Sequence, residues 1–287
     1  APYGPIVKSG SENILKDLTE EFKNHSKRKK VFLSQLSLPA EQGETNHYPT
    51  HFLPFESVDK LFSTEKKGMI FKYVTGVTAF RAIDLFPKED NSYEKVRANY
   101  KTSTRRDVNK SGRMGNELKF AQTEDEIKKA YELIELNAES QGYSVRTWDA
   151  FGNTLIQMVN KDQCIIPCCF NEGELKGALI IFDVGNKLHY IMGATLREQK
   201  DKMVGHYLQD QVIQLGIKKG YDFYDISMGG SEGVVKFKEG FGGNVVALTE
   251  TRYWVEKPLQ FFAFRKLLPW VQKNKALIGK LLGKTNN

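Results

Sequence analysis

The chain has 287 residues, 40% hydrophobic and 27% charged, the balance of an ordinary globular protein. Its net charge of +7 favours an anionic partner, whether nucleic acid, phosphate groups or a membrane surface, without choosing among them. No apolar run approaches the ~18 residues of a membrane span, and the opening residues lack an apolar signal core.

APYGPIV reads as a strand with turn residues. A helix follows from about Ser11, with Ile14, Leu15, Leu18 and Phe22 at helical spacing and a basic run, Lys27 to Lys30, at its end. VFLSQLSL has strand length and composition. Pro39 to Glu56 reads as a loop, and GMIFKYV and AFRAIDLF as paired strands. The character shifts near Pro87 to Asn91, which sets the expected boundary between a first domain, 1–88, and a second, 89–257. SYEKVRANYKTSTRRDVNKSG reads as one basic helix ending at Gly112, and ELKFA as a strand. Thr123 and Glu126 have capping-box spacing and open a helix with Ile127, Tyr131, Ile134 and Ala138 on one face and Gly142 beyond its end.

TWDAFGNTLIQMVNK is another helix. The run from Gln163 to Ala194 reads as three strands joined by turns at Asn171-Glu172-Gly173 and Gly185-Asn186. A helix with Met203, Tyr207, Leu208, Val212 and Leu215 on its apolar face ends by Gly220. DFYDISM is a strand, and NVVALTETRYWV is the last one. Strands joined by tight turns are antiparallel neighbours, so the plan is an α/β fold with a mixed sheet and not a doubly wound parallel one.

Three cysteines, Cys164, Cys168 and Cys169, lie in QCIIPCCF. An odd number with no nearby histidine is a poor zinc set, so the thiols are expected to be buried and inert. The five histidines show no metal spacing and no nucleophile pattern, and His189 and His206 read as packing residues. Nothing points to secretion, which makes a reducing cytoplasm the expected compartment.

Two stretches carry chemistry. In the first, Arg97, Lys101 and Arg105 recur every four residues, with Arg106, Lys110 and Arg113 beside them and Asp107 the sole acid from Lys95 to Arg113. Like charges at that spacing destabilise an isolated helix, and RNA phosphates or the diphosphate of a precursor would offset this. A solvated helix face is the alternative. The second stretch, GGSEGVVKFKEGFGG from Gly229 to Gly243, holds six glycines around a short helical segment. So many glycines imply tight turns or close backbone approach. In a helical turn Lys236 and Lys238 point opposite ways, so one at most faces inward.

From Pro258 onward the chain has no acid and carries Arg265, Lys266, Lys273, Lys275, Lys280 and Lys284. Phe261, Phe264, Leu268 and Val271 share a face, and Pro269 is expected to break the segment into two helices. Such a segment either docks onto the first domain, the better reading for Phe261 to Val271, or lies at a membrane surface, the better one for Ala276 to Lys284.

The order of elements resembles the N-acetyltransferase (GNAT) superfold. YGPIV, RRDVNKSGR, LHYIMGAT, GYDFYDISMGG and above all VVKFKEGFGG resemble the Fem-type peptidyltransferases, which use aminoacyl-tRNA to add amino acids to peptidoglycan precursors. The resemblance implies two GNAT-like domains, the first incomplete here, with 258–287 returning to it. It implies direct attack of an amine on an aminoacyl ester, with no metal, no cofactor and no covalent enzyme intermediate. Lys238 would face the reaction centre, and Phe237 would pack beside the acceptor end of the donor RNA. Arg97, Lys101, Arg105, Arg106, Tyr190, Tyr224 and Asp225 are the expected substrate contacts. The partners would be aminoacyl-tRNA or another acyl donor and a lipid- or nucleotide-linked envelope precursor, with peripheral contact at the inner face of the membrane. REQKDKMVGHYLQ has one glycine, Gly205, where ordinary acetyltransferases have a glycine-rich loop for the CoA pyrophosphate, which argues against acetyl-CoA. Two alternatives stay open: another donor such as acyl-CoA or acyl-carrier protein in envelope glycan or lipid assembly, and a non-catalytic basic module on RNA or membrane.

Overall fold

The computed structural model describes Val7 and residues 11–36, 40–41, 53–68, 70, 79–86, 89–196, 202–247 and 251–274. All of the expected strand APYGPIV but Val7, most of GMIFKYV, the start of the Gly205 loop and the segment Ala276 to Lys284 lie outside these residues. In chain order the first elements are α1 (Glu12–Arg28), β1 (Leu33–Leu36), β2 (Ala40–Glu41), β3 (Leu53–Pro54), α2 (Phe55–Leu61), β4 (Lys66–Lys67) and β5 (Ala79–Asp84). Then come α3 (Ser92–Ala98), α4 (Thr102–Ser111), β6 (Asn116–Phe120), α5 (Glu124–Ser140), α6 (Trp148–Asn160), β7 (Cys164–Ile165) and β8 (Pro167–Asn171). The chain continues through β9 (Glu174–Val184), β10 (Lys187–Thr195), α7 (Val204–Lys219), β11 (Phe223–Asp225), α8 (Glu232–Glu239), β12 (Asn244–Ala247), β13 (Arg252–Val255) and α9 (Pro258–Lys273). The described residues include no helix long and apolar enough to cross a membrane and no cluster of metal-binding side chains.

Two compact units result, one from residues 1–79 with 247–287 and one from 80–246. In the first, β1, β13 and β4 form an antiparallel sheet in that order. Its core joins Leu15, Leu36, Val58 and Phe62 to Phe22 and Trp254. Helix α1 presents Leu15 and Phe22 to this core and leaves Ile14 and Leu18 exposed, so its buried face is narrower than its apolar spacing implies. Within the expected loop from Pro39 to Glu56, β2 and β3 pair in parallel and α2 begins. Helix α9 is continuous through Pro269, against the expected break. Proline there removes one donor near the helix end, and docking of Phe264 on Phe32 and Phe261 on Tyr253 holds the helix together.

The second unit is a mixed sheet in the order β12-β5-β11-β10-β9-β8-β6, with β7 also on β9. β10 and β11 run parallel, and β9 pairs antiparallel with β8 and β10. Period-two alternation splits the core into two layers. Leu179, Ile181 and Cys169 meet α3, α4 and α7 on one face, whereas Ala178, Ile180 and Cys168 meet α5 and α6 on the other. The three thiols are free and buried, and burial pushes each up to about 12, so none is a ready nucleophile. The Thr123–Glu126 capping box opens α5 as expected.

Three expectations change here. AFRAIDLF forms β5, which pairs antiparallel with β11 and so belongs to the second unit's sheet. NVVALTETRYWV is two strands, β12 and β13, in two different sheets. The single basic helix is broken at Asn99–Lys101 into α3 and α4. Tertiary contacts impose that break: Lys101 N–H donates to the Gly240 carbonyl at 2.8 Å, and the buried Tyr100 donates its hydroxyl to Asp210 at 3.0 Å.

Candidate active site where two parallel strands part

β10 and β11 are in register for three pairs, from Lys187–Phe223 to His189–Asp225, where β11 ends. β10 then bulges between Tyr190 and Met192 and continues along β9 to Thr195. A bulge re-aims side chains and ends pairing, so the two strands part just beyond Tyr190 and Asp225.

A strained turn follows β11. Asp225 Oδ1 accepts the Ser227 N–H at 2.7 Å, and Ser227 Oγ accepts the Gly229 N–H at 3.2 Å. Ser227 itself has φ of 66°, a conformation that non-glycine residues adopt rarely and mostly under tertiary constraint. The turn presents the Gly229 carbonyl to α8, where it accepts a hydrogen bond from Lys238 Nζ at 2.8 Å.

Lys238 is 3% exposed, with Nζ 4.6 Å from the centroid of the Tyr190 ring. Lys236, two residues earlier, points outward and pairs with Glu232 at 2.6 Å. Burial lowers the Lys238 pKa from the ordinary 10.5 to about 8, and the charge of Asp225 opposes that fall. An ammonium has three donors. The Gly229 carbonyl uses one and the Tyr190 face covers another side, which leaves donor capacity where the strands part. Burial also pushes the Tyr190 phenol up to about 12, so it stays neutral. Asp225 Oδ2 lies 3.4 Å from His189 Nδ1.

The glycines after α8 explain its placement. A methyl group at Gly240 would strike Thr104 Oγ1 at 2.1 Å, one at Gly242 the Asn99 carbonyl oxygen at 2.6 Å, and one at Gly243 the Ala82 carbonyl oxygen at 2.7 Å. Bare backbone here lets the exit of α8 press against α4, the α3–α4 break and β5 at once. Phe237 turns to the other side of α8, packing on His206 at 4.9 Å and Phe241 at 5.4 Å between ring centroids. It also fills the space over Gly205, where an added methyl would sit 3.4 Å from the Phe237 ring. His206 is thus a packing residue, with Nε2 3.9 Å from Asp107.

The basic residues divide. Lys101 lies 3.6 Å from Glu239 at the end of α8, which Arg81 approaches to 3.5 Å. Arg97 donates to Asn109 at 2.7 Å and stacks over Tyr93, and Arg106 pairs with its neighbour Asp107 at 3.1 Å. Of the four expected contacts Arg97, Lys101, Arg105 and Arg106, Arg105 alone has no ion pair or polar side-chain partner among the described residues, which leaves its charge available to a phosphate. Tyr224 does not fit a substrate contact: it is wholly buried, and its hydroxyl donates to Gln209 at 2.6 Å.

Sequence reasoning missed the polar network behind this face. Asp210 is 3% exposed and accepts from Tyr93 at 2.8 Å, Tyr100 at 3.0 Å and Gln214 at 2.7 Å. Charge-assisted hydrogen bonds satisfy a carboxylate that would otherwise be costly to bury. A signal for it exists: Gln209 and Asp210 stand between Leu208 and Val212 on the inward side of α7.

Residues 98–239 match the acetyltransferase (GNAT) domain family. Over 92% of its length the chain has the fold of FemX, with a TM-score of 0.72 and 12% identity, and it covers 83% of that chain. It is also similar to the C-terminal domain of a proposed lysylphosphatidylglycerol synthetase from Agrobacterium fabrum, at a TM-score of 0.53 and 10% identity, covering 88% and 78% of the two chains. A third similar structure, a Bacteroides thetaiotaomicron protein of unknown function, has a TM-score of 0.50 and 10% identity, with 83% and 74% covered. No curated protein matches the chain by sequence.

Proposed function

We propose that this chain, which carries a GNAT acetyltransferase domain within a FemX-like fold, is an N-acyltransferase that moves an aminoacyl group from aminoacyl-tRNA to an amine of a cell-envelope precursor. The observation that carries this reading is a buried cation, Lys238, held at the mouth of the parted strands by a backbone carbonyl and an aromatic face. When an amine attacks an ester carbonyl, the new C–N bond leaves negative charge on the carbonyl oxygen. A fixed donor in a site shielded from water stabilises that charge strongly, because nothing need reorganise at the moment of reaction. Collapse of the intermediate breaks the ester C–O bond. The proton lost by the attacking amine leaves with the departing hydroxyl.

What fills the Gly205 position supports this choice of donor. Coenzyme A needs open backbone amides at a helix N-terminus for its pyrophosphate. Here the Phe237 ring lies over Gly205, at the N-terminus of α7. Calorimetric titration with acetyl-CoA is therefore expected to show no sub-micromolar binding, while charged tRNA supports transfer to an amine acceptor. Tight acetyl-CoA binding with turnover would overturn the aminoacyl-tRNA reading and favour an acyl-CoA donor.

Phosphate contacts are expected chiefly at Arg105. Arg105→Glu should weaken tRNA binding and reduce the salt dependence of its affinity by about one unit of slope, as for loss of one phosphate contact. An unchanged affinity and slope would leave α4 as a solvated face.

A further inference from the structure

Helix α9 has two apolar faces. Phe261, Phe264 and Leu268 lie on the inner one, where Phe261 meets Tyr253 and Phe264 meets Phe32. On the outer one Leu259, Phe262, Leu267 and Trp270 are 86%, 60%, 58% and 58% exposed. Four large apolar side chains on a single solvent-facing helix are far more than isolated surface hydrophobics, and mark an interaction site. Lys266 and Lys273 share this face at helical spacing, and Lys266 Nζ lies 4.7 Å over the Phe262 ring.

We propose that the outer face of α9 is a docking surface for an anionic lipid bilayer, with the helix lying in the plane of the headgroups. Charge selects the occupant. On α9 itself Lys266 and Lys273 share the outer face and the helix carries no acid, so the face complements a negative surface. A long lysine stem over an aromatic ring is the geometry by which a cation reaches phosphates while its alkyl part and the ring stay in the acyl boundary. Tryptophan suits the same depth. An RNA would stack on Phe262 and Trp270 but strand Leu259 and Leu267 against phosphates. A second copy, meeting the face symmetrically, would bring the lysines of both helices into one interface with no acid from either α9 to pair them. This surface is independent of the reading of α8, and it would bring the enzyme to acceptors that reside in a membrane.

Flotation of the full chain with phosphatidylcholine vesicles, with and without phosphatidylglycerol, tests this. The protein should float with the anionic vesicles and release at high salt. Phe262→Ser with Trp270→Ser should lower the bound fraction tenfold or more, and Lys266→Glu with Lys273→Glu should remove the preference for phosphatidylglycerol. These side chains are exposed, so melting temperature and turnover on a water-soluble acceptor should hold, which separates this proposal from the catalytic one. The conservative Trp270→Phe should abolish the blue shift of tryptophan emission on vesicle addition. Failure of the wild-type chain to float, equal flotation of the apolar variant, a blue shift that survives Trp270→Phe, or loss of dimerisation or tRNA binding in place of vesicle binding would each overturn it.

Discussion

Replacing Lys238 with methionine is expected to lower turnover by about a hundredfold or more, the usual cost of losing one oxyanion donor, while making the protein more stable at neutral pH. The two effects have one cause. Burying the ammonium lowers its pKa from 10.5 to about 8, so the folded state is disfavoured wherever the lysine is charged. Such a fall corresponds to about 3 kcal/mol at most, and the Gly229 hydrogen bond and the Tyr190 contact return part of it. The sign is definite. Below pH 8 both states hold the proton and the penalty is complete. Between pH 8 and 10.5 the unfolded chain binds the proton and the folded one does not, so wild-type stability rises with pH.

The methionine variant lacks this dependence. Its melting temperature should exceed that of the wild type by a few degrees at pH 6, with the difference fading by pH 10. With Lys238 in its proposed role as a charged donor, wild-type turnover should in turn fall as pH rises through 8. Lys236→Ala, which loses only an exposed helical ion pair worth about 0.3–0.5 kcal/mol, should leave turnover unchanged. Equal small effects from both substitutions would remove Lys238 from the reaction.

Gly242→Ala should be among the most damaging single methyls in the second unit. Gly242 has φ of 77°, and its added Cβ would lie 2.6 Å from the Asn99 carbonyl oxygen and 3.0 Å from Asn99 Cβ. Gly173 is the control: its φ of 80° carries the same backbone penalty, but nothing lies within 4 Å of its added methyl. That penalty alone is about 1–2 kcal/mol. At Gly242 the overlap is with backbone at the α3–α4 break, which cannot rotate away, so a total loss of about 3 kcal/mol or more is expected. Urea midpoints of the two variants measure the difference. Gly242→Ala should also reduce turnover, because it shifts the segment that sets α8 against Tyr190. Matching losses at the two positions would show that the contact yields freely.

Signals carried by contiguous residues are legible in the amino-acid sequence alone. The Thr123–Glu126 capping box needs only four residues, and it caps α5. The glycine turns at 171–173 and 185–186 dictate antiparallel neighbours, and β8, β9 and β10 pair in that way. Helical periodicity alone sets Lys236 and Lys238 on opposite sides of one turn. What only the tertiary structure decided is which face meets which neighbour. Ile14 and Leu18 have the right spacing for a buried stripe, yet no second surface covers them. The basic helix has no local breaker at Lys101; a carbonyl from Gly240, well over a hundred residues away, bends it there. Tyr224 and Asp225 are neighbours in one motif, but alternation along β11 sends the first into the core and leaves the second beside His189 and within reach of Lys238's charge. Local chemistry fixes the elements because its interactions span a turn or two. Burial, and with it the pKa of Lys238, depends on long-range packing that only the assembled sheet and helices supply.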